Sequence, residues 1–119
     1  MIKHIAFTMY PVTDMARARK FYEDGLGLEF TKQNATGGWV EYHLENGAFA
    51  LTTMAKGIAP SAKSGGSIAF EVDDLDAYVN KVTAAGGTIK VPPFASPVCH
   101  MAVALDTEGN ALMLHKKKV

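Results

Sequence analysis

The chain has 119 residues, which fits one domain with a modest core. Its 12 basic and 12 acidic side chains cancel, so bulk charge draws it neither to nucleic acid nor to a membrane surface. A single cysteine, Cys99, excludes an internal disulfide and the paired-cysteine metal patterns, and no apolar run approaches the length of a membrane span.

The first segment, "IKHIAFTMY", is rich in β-branched and aromatic residues and predicts a strand over roughly residues 2–10, ended by Pro11. It reads as a strand and not as the apolar core of a secretory leader, so a cytoplasmic protein is expected. Asp14 then starts a helix whose apolar stripe is Met15, Ala18 and Phe21-Tyr22. Gly25 and Gly27 stop it, because glycine reaches left-handed dihedrals at little cost. "LEFTKQ" is a short strand, and "GWVEYHLE" and "AFALTTM" form a hairpin about the turn "ENG". Small, polar and glycine-rich, Ala55–Gly66 reads as a linker.

The same order then returns. "SIAFEV" is a strand, "DDLDAYVNKVTAA" a helix with an Asp start and a "GG" stop, and "TIKVPP" a strand ending at Pro92-Pro93. "CHMAVALD" and "ALMLHKK" form a second hairpin about "TEGN". An offset of 60 places Val12 on Val72, Asp14 on Asp74 and Gly27 on Gly87. An offset of 63 places Ile5-Ala6-Phe7 on Ile68-Ala69-Phe70, which implies a three-residue insertion near Tyr10–Val12. The chain therefore reads as a single α+β domain, 1–119, of two βαβββ modules: about 1–55, a linker about 55–66, and about 67–119. Neither module has enough core to stand alone.

Paired modules with Asp14, Ala18, Phe21-Tyr22 and Leu26-Gly27 in the first, and Asp106, Gly109-Asn110 and Leu114 in the second, resemble the vicinal oxygen chelate superfamily. That superfamily includes glyoxalase I, bleomycin-resistance proteins and extradiol dioxygenases. The resemblance implies a curled mixed sheet forming a cup, helices on the convex face, and a homodimer in which modules of two chains can share a cup. It also implies one divalent metal held by His, Gln or Glu from four strands. Counted from the motifs, those positions fall on Phe7, Thr52, Ser67 and Met113. None is a good ligand for a hard or borderline cation, so the expectation is no metal and no other cofactor.

Strand alternation proposes the rest of the cup lining. Val40, Tyr42 and Leu44 read as core, which turns Trp39, Glu41 and His43 to the cup. Ile68, Phe70 and Val72 read as core, which turns Ser67, Ala69 and Glu71 to it. Met101, Val103 and Leu105 read as core, which turns His100, Ala102 and Ala104 to it. Phe7, Met9, Met54 and Met113 add an apolar lining, and His115 sits at its rim. Glu41, His43, Glu71 and His100 read either as ordinary polar lining or as a displaced metal or acid–base set. Two functions follow: a metal-free protein that binds a small organic molecule, or a glyoxalase-like lyase or isomerase, or a dioxygenase, with a relocated metal. Cys99 and His100 are strand neighbours facing opposite ways, so they do not form a nucleophile pair, and Cys99 reads as a buried, inert thiol. No partner among nucleic acids or membranes is expected.

Overall fold

The computed structural model describes residues 1–118. The elements run β1 (Thr8–Pro11), α1 (Met15–Arg19), β2 (Lys32–Gln33), β3 (Trp39–Leu44), β4 (Gly47–Thr52), β5 (Ile68–Glu71), α2 (Leu75–Ala84), β6 (Thr88–Ala95), β7 (Cys99–Leu105) and β8 (Ala111–Lys117). They build two curled four-stranded mixed sheets, ordered β1-β4-β3-β2 and β5-β8-β7-β6. In each sheet the first strand pairs parallel with the last, and the remaining pairs are antiparallel.

One core serves both sheets. Tyr22, Tyr42, Phe21, Phe49, Leu51, Leu112 and Leu114 are its largest fully buried side chains. Phe49 meets Tyr10, Tyr22 and, across the boundary between sheets, Phe70 edge-on with ring centroids 5.4 Å apart. The Tyr10 hydroxyl closes the same boundary by accepting from Ile68 N and donating to the Ala111 carbonyl.

The helices differ by one residue. Both start on an aspartate cap: Asp14 Oδ1 accepts from Arg17 N and Asp74 Oδ1 from Ala77 N, each at 3.0 Å. Thirteen residues after Asp14 the chain reaches left-handed Gly27 (φ +79°), and twelve after Asp74 it reaches left-handed Gly86 (φ +90°). The extra residue is absorbed in a π-helical turn, Lys20–Gly25, where Leu26 N donates to Phe21 O at 3.0 Å. The second helix closes regularly, with Gly87 N donating to Val82 O and Gly86 N to Thr83 O, a Schellman pattern. The helix ends pack closely: a Cβ on Gly25 would lie 2.5 Å from Ala85 Cβ, and one on Gly87 would lie 2.7 Å from Leu105 O.

Several expectations need correction, the last of them on β7. Residues 2–7 are not strand; Ile2 and Ile5 stand exposed and only Thr8–Pro11 pairs with β4. The strand and helix-start offset is therefore 60 throughout, with Thr8–Pro11 equivalent to Ile68–Glu71, and no insertion lies near Tyr10–Val12. The first module's β2 is only Lys32–Gln33. Pro92-Pro93 does not end β6, which continues to Ala95; as an edge strand it tolerates prolines through two register shifts against β7.

The last concerns β7. Ala102 and Ala104 are the fully buried residues, paired with core Leu114 and Leu112. Met101, Val103 and Leu105 face the other way. The helices and the leucines of β8 already fill the helix side, so only alanine fits there on β7. His100 consequently leaves the cup: it lies on the helix face, with Asp73, Asp74 and Lys116 near the start of α2.

Candidate functional site

The turn Asp106–Asn110 ties the two modules together. Asp106 is buried; its Oδ2 accepts from the Tyr22 hydroxyl at 2.6 Å, and its Oδ1 from Glu108 N and Asn110 N. Burial raises the Asp106 carboxyl above its ordinary range despite these bonds. Buried Asn110 donates to Pro11 O at 2.8 Å and accepts from Ser61 N, so one side chain holds β1 and the linker. Glu108 reaches back to the start of α1, accepting from Thr13 N, Asp14 N and Arg17 Nε. Burial pushes the Glu108 carboxyl up, but the Arg17, Asp14 and Thr13 bonds outweigh it and hold it below the usual range. This turn is architectural, and its glutamate had no sequence signal beyond its place beside Gly109.

The remaining candidate residues from the sequence lie mostly on the sheet faces turned away from the helices. On the first sheet, Trp39, Glu41 and His43 alternate along β3 opposite Thr52, Ala50 and Ala48 of β4. Trp39 Nε1 donates to Glu41 Oε1 at 2.8 Å, and His43 Nε2 bonds Glu41 Oε2 at 2.7 Å. The His43 bond first, then the Trp39 bond, lowers the Glu41 pKa. Phe7 packs edge-on against Trp39, with centroids 5.0 Å apart. Met9 of β1 lies beside Ala50. Exposed Met54 closes the end of this face near Gly38 and Asn34.

On the second sheet, Glu71 of β5 and His115 of β8 are register partners, and His115 Nδ1 bonds Glu71 Oε1 at 2.5 Å. Glu71 Oε2 accepts from Lys117 N; that bond, then His115, lowers the Glu71 pKa. Met113 lies between Ala69 and Val103 in register, and Met101 is opposite both His115 and Phe94. Val91, Phe94, Met101 and Val103 share this face, a placement that sequence reasoning missed. The register of the β7–β8 turn could have found Met101 and Val103, since Leu105 opposite Ala111 puts Val103 beside Met113; Val91 and Phe94 reach this face through the two register shifts of β6.

The structure thus groups Phe7, Met9, Trp39, Glu41, His43, Thr52 and Met54 on one sheet, and Ser67, Glu71 and Met113 on the other. It does not bring Glu41 and His43 together with Glu71 or His100. Among the described residues, no three His, Cys, Asp or Glu side chains gather as a metal cluster. The four positions implied as metal ligands do not fit a divalent ion. Phe7 is a hydrocarbon against Trp39, and Thr52 Oγ1 accepts from Met54 N at 2.9 Å. Ser67 Oγ donates to the Ala111 carbonyl at 3.1 Å, and Met113 offers only a thioether. Cys99 is buried, with Sγ 3.1 Å from Ser96 Oγ.

Two βαβββ modules joined through a D-x-x-G-N turn, with helices on one face of curled sheets, define a glyoxalase-type domain. The sequence model described as the Glyoxalase/Bleomycin resistance protein/Dioxygenase superfamily matches residues 2–114, and the chain belongs to that superfamily. Similar solved structures include a glyoxalase/bleomycin resistance protein from Albidiferax ferrireducens T118, 25% identical, covering 96% of this chain and 98% of that one, with a TM-score of 0.77. An antibiotic-binding protein from Streptomyces sp. CB03234 is 18% identical, covering 98% of each chain, with a TM-score of 0.79. A glyoxalase-related enzyme from Fulvimarina pelagi is 16% identical, covering 97% of this chain and 88% of that one, with a TM-score of 0.81. Among curated proteins nothing matches this chain. Among the described residues, no helix is long and apolar enough to cross a membrane.

Proposed function

We propose that this protein binds a small organic molecule on the open faces of its sheets, without the superfamily's metal, and acts as a homodimer. The observation that carries this reading is the chemistry at Phe7, Thr52, Ser67 and Met113. Where the superfamily's enzymes need hard ligands, this chain has an aromatic ring, two hydroxyls engaged with the main chain and a thioether. Around them lie Trp39, Met9 and Met54 on one face, and Val91, Phe94 and Met101 on the other. An adaptable apolar surface with a few fixed polar groups is the usual form of a small-molecule site. The antibiotic-binding relative has the same fold, which supports binding as a use of it.

The dimer reading rests on the same faces. Phe7, Met54, Val91 and Phe94 are large apolar side chains left exposed on them in the single chain. A second copy laid across both faces would cover those side chains and enclose a cup.

Native mass spectrometry tests the proposal, with protein dialysed against chelator and then incubated with zinc, nickel, iron(II) or manganese. The expected result is a metal-free species at twice the 12.8 kDa of the chain. One tightly held metal per chain would overturn the metal-free reading, and a monomer at micromolar concentration would overturn the dimer.

A further inference from the structure

We infer that the open face of the first sheet selects neutral ligands that donate a hydrogen bond, and that His43 Nδ1 is the atom that accepts it. The inference rests on reading that face as the small-molecule site.

Glu41 fixes the polar pattern of this face. A carboxylate only accepts hydrogen bonds, and both of its oxygens are engaged, Oε1 by the Trp39 indole N–H and Oε2 by His43 Nε2. Glu41 titrates below the ordinary range, so at neutral pH it is ionised and His43 Nε2 must carry the proton that joins them. A neutral imidazole protonated at Nε2 has its lone pair on Nδ1. Among the described residues Nδ1 has no hydrogen-bond partner, and the side chain is about half exposed.

The neighbouring polar groups do not compete. The Trp39 N–H is spent on Glu41, and Lys32 Nζ lies 3.9 Å from Glu41 Oε2, drawn to the carboxylate. The His43 main-chain N–H donates to Thr31 Oγ1. The remaining surface around the imidazole is mainly the Phe7–Trp39 pair and the methionines, with the exposed Lys32 ammonium at the β2 edge and Asn34 and Thr36 beside Met54. A ligand beside His43 therefore meets apolar walls and one fixed acceptor, with the Lys32 charge turned towards Glu41 at the edge. A hydroxyl or amide N–H satisfies that acceptor; an anion sets its own lone pairs against it, beside an ionised carboxylate.

The test uses the fact that the chain has one tryptophan. Its single indole N–H resonance in a ¹H–¹⁵N spectrum reports on the site. Three probes share one ring system: 2-naphthol, 2-methylnaphthalene and 2-naphthoate. The expected order is 2-naphthol tightest, roughly fivefold over 2-methylnaphthalene, about one net hydrogen bond, with 2-naphthoate weakest. His43→Phe should keep the fold and abolish the naphthol advantage. Naphthoate binding as tightly as naphthol, or an advantage that survives His43→Phe, would overturn the inference and leave small-molecule binding standing. If none of the three moves the indole resonance, the inference and the assignment of this face as the binding site fail together.

Discussion

The two faces of the same strands are used differently. Towards the helices, β3, β4, β7 and β8 present Val40, Tyr42, Phe49, Leu51, Ala102, Ala104, Leu112 and Leu114, all essentially inaccessible. Away from them, the intervening positions of β3, β7 and β8 hold Trp39, Glu41, His43, Met101, Val103, Met113 and His115, all partly or largely open to solvent, while on β4 Ala50 and Thr52 are covered. One face is committed to folding and the other is left largely outside the core. Substitutions on the first should act through stability, and substitutions on the second through binding.

The largest effect is expected at the centre of the shared core. Phe49→Ala removes a ring that touches Tyr10, Tyr22, Tyr42 and Phe70, and should cost about 3–5 kcal/mol in a denaturant titration. A smaller cost in that titration would mean the sheets do not share a core through this ring. Next comes the turn that joins the modules. Tyr22→Phe leaves buried Asp106 Oδ2 without its hydroxyl donor and should cost about 1–3 kcal/mol. On the open face, Trp39→Ala should cost about 1 kcal/mol through its lost packing on Phe7 and His43→Ala no more than about 0.5 kcal/mol, while both weaken any ligand of the first sheet. A large loss of stability from either would contradict the division between faces.

The acid limb sharpens the comparison further. Glu108 titrates below its ordinary range in the folded protein, so its stabilisation is complete above the unfolded value, about 4.3, and is lost as pH falls through the lower folded value. Asp106, raised by burial, has the opposite sign and partly offsets this loss. Glu108→Gln should therefore flatten the fall in melting temperature between neutral pH and about pH 3, relative to the parent. An unchanged acid limb would remove Glu108 from the account of how the modules are clamped.

Much of the fold was legible because its signals are local. Asp14 and Asp74 mark helix starts by capping, the "ENG" and "TEGN" turns mark hairpins, and the repeat exposes the pairing of modules. What was not legible depends on context. "IKHIAF" has the composition of a strand, yet β4 begins only at Gly47, so residues before Thr8 have little edge to pair with. The one-residue difference between helices appears only when Gly27 and Gly86 are seen to share a conformation. Trp39, Glu41 and His43 fall on the face opposite buried Val40 and Tyr42, as their alternation implies, whereas Leu44, expected in the core, is exposed at the end of β3. On β7 the larger side chains were taken as core, when the space left by Leu112 and Leu114 admits only alanine.

The most direct test of the division between faces uses the methionine methyl groups, labelled with ¹³C and titrated with 2-naphthol. Met9 and Met54 lie on the open face of the first sheet, Met101 and Met113 on that of the second, and Met15 packs against the core beside α1. The account predicts that open-face methyls shift, Met9 and Met54 foremost, while Met15 stays fixed. A saturable shift at Met15 with the open-face methyls unmoved would place the ligand on the helix side and contradict the account.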